Sequence, residues 1–97
     1  MSGGDWKTMF KAVQDNDVEL IRFYIRAGID INYQHPEYLA LPLSESIRYN
    51  HLEAAEVLLL NGAESDIIEA ESGMTPTDLA IKKKNQKAID LLDRFNK

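Results

Sequence analysis

The stretch that decides the fold is Arg26-Ala27-Gly28-Ile29-Asp30, which returns 34 residues later as Leu60-Asn61-Gly62-Ala63-Glu64. Each copy closes a run whose apolar residues recur at i, i+3 and i+4, the spacing of one helix face. A third run of this kind, at residues 86–93, follows at the same offset. Because glycine accepts the left-handed conformation that ends many helices, the sequence predicts a repeated helix with a glycine stop.

A shorter helix is expected before each of these runs. Ala12, Ser46 and Ala80 occupy equivalent positions in it, and their small side chains let two helices pack closely. Between the two helices, Asn16 and Asn50 align at a position suited to a left-handed turn, whereas Asn85 stands one place later. The pattern therefore predicts helix-turn-helix units, with a differently shaped turn in the third.

The start of the third unit carries the clearest helix-start signal. Thr75 is a capping residue, and Pro76 follows at the first helical position. The chain from Gly62 to Pro76 has no helical pattern and is expected to form an extended loop.

This pattern resembles the ankyrin repeat, whose period is about 33 residues and whose opening is Thr-Pro-Leu-His-x-Ala. The segment Thr75-Pro76-Thr77-Asp78-Leu79-Ala80 is similar to that opening. Likewise, Ala27-Gly28-Ile29-Asp30-Ile31-Asn32 resembles the family's Gly-Ala-Asp-Val-Asn element. At the family's opening histidine, this chain has Phe10, Ser44 and Asp78.

The resemblance covers roughly residues 5 to 96. It implies an all-α fold: an ankyrin-repeat solenoid of about three helix-turn-helix units with extended loops between repeats. One such unit cannot bury its apolar face alone, so neighbouring units stack into a continuous core. We expect a single domain over residues 1–97 with approximate repeats 5–37, 38–71 and 72–97.

Composition limits the function. The 97 residues include 44% apolar residues, enough for one folded domain, and no apolar run approaches a membrane span. The first residues lack the apolar segment of a signal peptide, and no cysteine is present, so a cytoplasmic (intracellular) setting is expected. The net charge of -5 makes nucleic acid an unlikely partner.

The sequence offers little for catalysis. Its two histidines, His35 and His51, stand in no metal or catalytic spacing, and a role in surface or helix-end hydrogen bonding is favoured for both. Ser44 and Ser46 lie near His51, but no orienting carboxylate is evident. We therefore expect no enzyme, no cofactor, no metal site and no small-molecule substrate.

Acidic residues are concentrated in one part of the chain. Between Tyr49 and Ile81 there are seven carboxylates and no lysine or arginine. One interpretation is an acidic patch that steers a basic partner, and the equally weighted alternative is a loop that only keeps the protein soluble. Four of the seven lie in the second loop and form the candidate patch: Glu64, Asp66, Glu69 and Glu71.

Ankyrin-like stacks generally bind proteins with the concave surface formed by loop tips and short inner helices. Phe23 and Tyr24 fit the helical apolar pattern and are expected in the core. Trp6 is expected either to contact the partner or to cover the open end of the stack. Carried over position by position, the concave surface comprises Trp6, Gln14, Asp15, Tyr38, Ala40, Arg48, Tyr49, Met74, Lys82 and Lys83.

Two functions follow as expectations. The first is a non-enzymatic interaction module that binds another protein through the concave face, with Arg48 and Tyr49 at its centre. The alternative is a stand-alone inhibitor or regulatory subunit that docks a basic partner surface through the acidic second loop. A monomer is expected, because charged residues such as Asp93 and Arg94 give the last helix a solvated face.

Overall fold

The protein, seen in a computed structural model that describes residues 3–96 with side chains from Asp5, is built of paired helices. Within this range the helices number six and form three successive pairs. The first helices of the pairs pack on one another in order, and so do the second helices. The all-α repeat solenoid predicted from the sequence is confirmed. The helices are α1 Gly3–Gln14, α2 Val18–Arg26, α3 Pro42–Arg48, α4 Leu52–Leu60, α5 Pro76–Lys82 and α6 Gln86–Phe95.

A residue in the left-handed conformation joins the two helices of every pair. Asn16 (φ 55°) and Asn50 (φ 58°) fill this position in the first two turns, as their alignment predicts. In the third turn Lys84 takes the left-handed conformation (φ 54°), and Asn85 instead caps α6 by accepting from the backbone N–H of Ala88 at 3.1 Å. The expected difference in shape is therefore wrong: the third turn has the same backbone conformation as the first two, with lysine in place of asparagine at the left-handed position, and its asparagine caps the next helix as Asp17 does in the first pair.

Side-chain oxygens also cap two other helices. The Asp17 carboxylate accepts from the N–H of Leu20 at 3.2 Å and starts α2. The Thr75 hydroxyl accepts from the N–H of Asp78 at 3.0 Å, directly before Pro76 at the start of α5. Both contacts satisfy N–H groups that the first helical turn leaves without a partner.

Two loops connect the pairs: loop 1, residues 27–41, and loop 2, residues 61–75. Gly28 and Gly62 both have φ 96° at the equivalent position where each loop leaves its helix. Loop 2 folds back on itself at an isolated antiparallel bridge, in which the N–H of Glu69 donates to Met74 O at 2.9 Å. Both loops thus begin with a glycine-dependent turn.

The core lies on both sides of α4. Ala54, Val57 and Leu58 pack into a cluster with α1 and α2, while Ala55 and Leu59 pack into a second cluster with α5 and α6. The small residues expected at the helix contacts are all buried, which confirms their packing role: Ala12, Ser46 and Ala80.

Phe23 corrects one expectation about the core, because it is 55% exposed on α2. The equivalent residues of the next two pairs, Val57 and Leu91, are buried in the clusters they share with the preceding pair. This helix position therefore faces the neighbouring pair on the N-terminal side. Within the described residues, Phe23 has no such neighbour.

Candidate protein-binding face

Helices α1, α3 and α5, together with loops 1 and 2, present one continuous side of the molecule, called here the α1–α3–α5 face. Three large aromatic residues of these segments are exposed: Tyr49 (49%), Tyr33 (46%) and Tyr38 (37%). Asp15, Lys82 and Lys83 are exposed as well, and Ala40 is buried. The half-buried members of the predicted set are Gln14, Arg48 and Met74.

Trp6 is not at the surface, which corrects its placement as a partner contact. Its side chain is only 3% exposed and stacks on Phe10 with 4.8 Å between ring centroids. The rings of Tyr38 and His35 lie 5.6 and 5.4 Å from it. Trp6 therefore anchors loop 1 to α1, because aromatic rings from both segments close over it.

Both histidines are engaged in the fold. His35 is buried in this aromatic cluster, and its Nδ1 accepts from the N–H of Glu37 at 3.1 Å. His51 Nε2 donates to Gln14 O at 2.9 Å and so links the first two pairs. The expected surface position is wrong for His35, while hydrogen bonding at a helix end describes His51.

Arg48 is the centre of a charged network beneath the face. Its guanidinium donates to the carboxylates of Glu45 and Glu69. The second oxygen of Glu45 accepts from Gln14 Nε2 at 2.7 Å, and that of Glu69 accepts from the N–H of Leu41 at 2.9 Å. The network joins α1, α3 and both loops, so it fixes their relative positions.

The charge on Arg48 is stabilised by these partners. Burial opposes the charged guanidinium, but the carboxylates of Glu69 and then Glu45 outweigh burial and raise the pKa of Arg48. Arg48 is therefore always charged at physiological pH.

Glu69 corrects the predicted acidic patch. Its side chain is fully buried (0% exposed) with both oxygens occupied by Arg48 and the Leu41 N–H. The physical reason is internal pairing, because Arg48 of α3 and the N–H of Leu41 take the place of the water that an exposed carboxylate would contact. The other three candidates, Glu64, Asp66 and Glu71, are exposed.

A depression of about 250 Å³ opens on the face above this network. Arg48 and Glu45 contribute from α3, and Glu71 contributes from loop 2. The lining is completed by three residues from α1 and loop 1: Phe10, Tyr38 and Ala40.

A cation from the chain itself lies at the edge of loop 1. Lys7 Nζ is 3.0 Å from the Glu37 carboxylate and 5.9 Å from the centroid of the Tyr38 ring. The hydrogen bond and charge of Lys7 hold the pKa of Glu37 below its ordinary value. Tyr38 thus already contacts one cation that is paired with a carboxylate.

Loop 2 has a separate acidic side. Glu64 and Asp66 line a larger groove, about 770 Å³, together with Asp78 of α5. Leu59 and Phe95 form apolar parts of its wall, and no lysine or arginine is among the lining residues that the structure describes. The predicted acidic patch therefore divides into this groove, the isolated Glu71 and the buried Glu69.

Sequence reasoning missed Phe10 and Glu45 as parts of the face. Glu45 stands three residues before Arg48, a spacing that pairs charges along a helix, and this signal was present in the sequence. The contact between Arg48 and Glu69, 21 residues apart, had no local signal.

Metal-binding and membrane-spanning features are not found in the part of the chain that the structure describes. No group of three or more histidine, aspartate or glutamate side chains there could hold a metal ion. None of the helices in residues 3–96 has the length and apolar character needed to cross a bilayer.

The chain belongs to the ankyrin repeat family, since residues 9–96 match the family model for ankyrin repeats in three copies. Ankyrin repeats are generally non-enzymatic protein–protein interaction modules. The family predicted from the sequence is thereby confirmed.

Individual relatives share the repeats but are much longer. The chain is 33% identical over 82 residues to a putative ankyrin repeat protein of fowlpox virus, covering 84% of this chain and 24% of that protein. It is 32% identical over 72 residues to the human 2-5A-dependent ribonuclease (74% of this chain, 10% of the relative). A Drosophila melanogaster ARF GTPase-activating protein, Git, is 30% identical over 74 residues (76% and 10%). The chain thus spans a quarter or less of these relatives.

Proposed function

We propose that this protein is a non-enzymatic interaction module that binds a partner protein through the α1–α3–α5 face. The observation that carries the proposal is the exposure of two tyrosines near Arg48, which is held in one position: Tyr38 lines the same depression as Arg48, and Tyr49 directly follows it in the chain. Tyrosine and arginine are the side chains that most often contribute large parts of a binding energy.

The network under Arg48 supports this function through its rigidity. A guanidinium already fixed by Glu45 and Glu69 loses little conformational freedom when a partner contacts it. Lys82 and Lys83, exposed at the end of α5, extend the face with positive charge. Binding there would therefore require little loss of conformational entropy in this chain.

Affinity capture from the native cell extract, followed by mass spectrometry of the retained proteins, tests the proposal. Tyr49→Ala should abolish capture of the partner while leaving the circular dichroism spectrum unchanged. Phe23→Ala is the matched control, because Phe23 is an exposed aromatic residue on α2, in the other row of helices. Capture that survives Tyr49→Ala but fails with Phe23→Ala would place binding elsewhere.

Arg48 needs a separate treatment in this experiment. Its replacement by alanine removes the partner of the buried Glu69, so a loss of capture could reflect lost stability. Arg48 variants are therefore compared only at temperatures where circular dichroism shows them folded.

The alternative function is a stand-alone inhibitor or regulatory subunit that docks a basic partner surface. The groove of Glu64, Asp66 and Asp78 favours it, since these three carboxylates line it and none of its described lining residues is a lysine or arginine. Affinity should then fall with added salt, and Asp66→Asn should weaken capture more than Tyr49→Ala. Salt-independent capture would contradict this alternative.

A cytoplasmic location and a monomeric state are parts of the same proposal. A chain without cysteine needs no oxidising compartment for its fold. Cell fractionation tests the first, and sedimentation of the purified chain tests the second.

A further inference from the structure

The charges around the depression do not balance. Arg48 is the only cation among its described lining residues, and it already contacts the two carboxylates of Glu45 and Glu69. Glu71 adds a third carboxylate at the rim. The sum over these four side chains is two negative charges, so the depression attracts a cation and repels an anion.

Glu71 is the carboxylate of the depression whose oxygens remain available to accept hydrogen bonds. Glu45 and Glu69 each have both oxygens occupied. The Glu71 carboxylate makes no hydrogen bond or ion pair with the residues the structure describes, although its backbone N–H donates to Leu39 O at 2.7 Å. The backbone therefore fixes Glu71 beside Tyr38 and leaves its acceptor oxygens open.

A contact at loop 1 shows which kind of ligand a carboxylate beside an aromatic ring takes. At the other edge of loop 1, the carboxylate of Glu37 and the ring of Tyr38 together hold Lys7 of this chain. In the depression, Glu71 lies with the rings of Tyr38 and Phe10 but without a cation of its own. Aromatic rings beside a carboxylate attract a cation by both charge and ring quadrupole.

We propose that the depression takes an arginine side chain of the partner protein, whose guanidinium pairs with Glu71 and packs against Tyr38. Arginine fits better than lysine, because its planar group donates to a carboxylate through two N–H groups while stacking on a ring. The inference rests on the proposed function, of which it names the central contact.

The direct test is a titration of the ¹⁵N-labelled protein with N-acetyl-arginine amide, followed by amide chemical shifts. Shifts should centre on Tyr38, Arg48 and Glu71, and N-acetyl-citrulline amide, the neutral isostere, should produce none at the same concentrations. Glu71→Gln should weaken the binding of the arginine amide about fivefold. Glu71→Lys, which places a cation at the rim, should abolish it.

Glu64→Gln is the matched control, because Glu64 is an exposed carboxylate of the same loop but lines the other groove. Equal shifts with the citrulline amide, unchanged binding to Glu71→Gln, or no shifts around the depression would each overturn the inference. Both Glu71 variants keep the backbone contact to Leu39, so they test the site without removing a contact of the fold.

Partner capture separates this inference from the proposed function. If Tyr49→Ala abolishes capture while Glu71→Gln leaves capture and arginine binding unchanged, only the arginine site is refuted. If capture survives Tyr49→Ala, the proposed binding face itself is refuted, whatever the arginine titration shows.

Discussion

Asn32 in loop 1 accepts a hydrogen bond from the backbone N–H of Glu64 in loop 2, at 3.0 Å. Its Nδ2 donates to Gly62 O at 3.1 Å, so both ends of one side-chain amide contact the next loop. Gln34 repeats the arrangement, donating to Ile68 O at 2.9 Å and accepting from the N–H of Ala70 at 2.8 Å. Two amides therefore set the position of loop 2 relative to loop 1.

Asn32→Asp should destabilise the fold by about 1 kcal/mol, since a carboxylate cannot donate to the Gly62 carbonyl. The measurement is urea unfolding followed by circular dichroism. Asp66→Asn is the matched control: Asp66 is the equivalent exposed residue of loop 2, and its change should leave stability within about 0.5 kcal/mol. Equal effects of the two substitutions would contradict the bridging role.

Arg48→Met should cost about 3 kcal/mol at neutral pH, because it leaves the fully buried Glu69 carboxylate without its cation. The unpaired buried carboxylate, rather than lost packing, is the expected source of this deficit.

Thermal unfolding of Arg48→Met and wild type at neutral pH measures this deficit. The double variant Arg48→Met/Glu69→Gln should recover part of the loss at pH 7, since it removes the unpaired charge. A double variant no more stable than Arg48→Met would show that Arg48 acts through packing alone.

Gly62→Ala should cost about 1 kcal/mol or more through backbone conformation alone. An added Cβ would meet nothing within 4 Å, but Gly62 has φ +96°, which side chains rarely adopt. Gly62→Asn should cost less, because asparagine tolerates positive φ better, as Asn16 and Asn50 do in this chain. Urea midpoints rank the three proteins, and an alanine variant as stable as wild type would refute the conformational argument.

Lys7→Gln should raise the pKa of Glu37 to its ordinary range, since the hydrogen bond and charge of Lys7 hold it low. Because the folded pKa is depressed, the stabilisation is present above the unfolded pKa and disappears as pH falls through the folded pKa. Carboxyl ¹³C shifts of Glu37 followed through the acidic range measure the titration. Lys11→Gln is the control, because Lys11 pairs with Asp15 instead.

The repeat architecture was predictable because its causes are local and recur. Gly28 and Gly62 stand at the same point of each copy. Thr75 is a capping residue and Pro76 follows at the first helical position, so these two residues alone indicate a helix start. Phe23 could not be placed in the same way. Phe23 occupies the same position in its helix as Val57 does. Val57 is buried because it packs on the preceding helix pair, and Phe23 is exposed because the described residues include no pair before it.

The candidate site was less predictable, because it depends on contacts between segments. Tyr38 and Tyr49 were expected on the surface from their positions outside the apolar pattern, and both are exposed. The burial of Trp6 depends on loop 1 closing over α1, and that of Glu69 depends on Arg48, which lies 21 residues away. Composition counts every carboxylate of loop 2 alike, so it cannot distinguish a carboxylate that pairs inside the fold from one that is exposed to solvent.

Glu69 and Glu71 are two positions apart, yet one is fully buried and the other exposed. Changes at residue 69 are constrained by folding, whereas residue 71 can vary without loss of an internal contact. A lineage that needed a new partner, or an engineer who wanted one, could exchange the charge at 71 and leave the scaffold as it is. In loop 2, the residue that folding requires and the residue that is free to change in evolution are thus different.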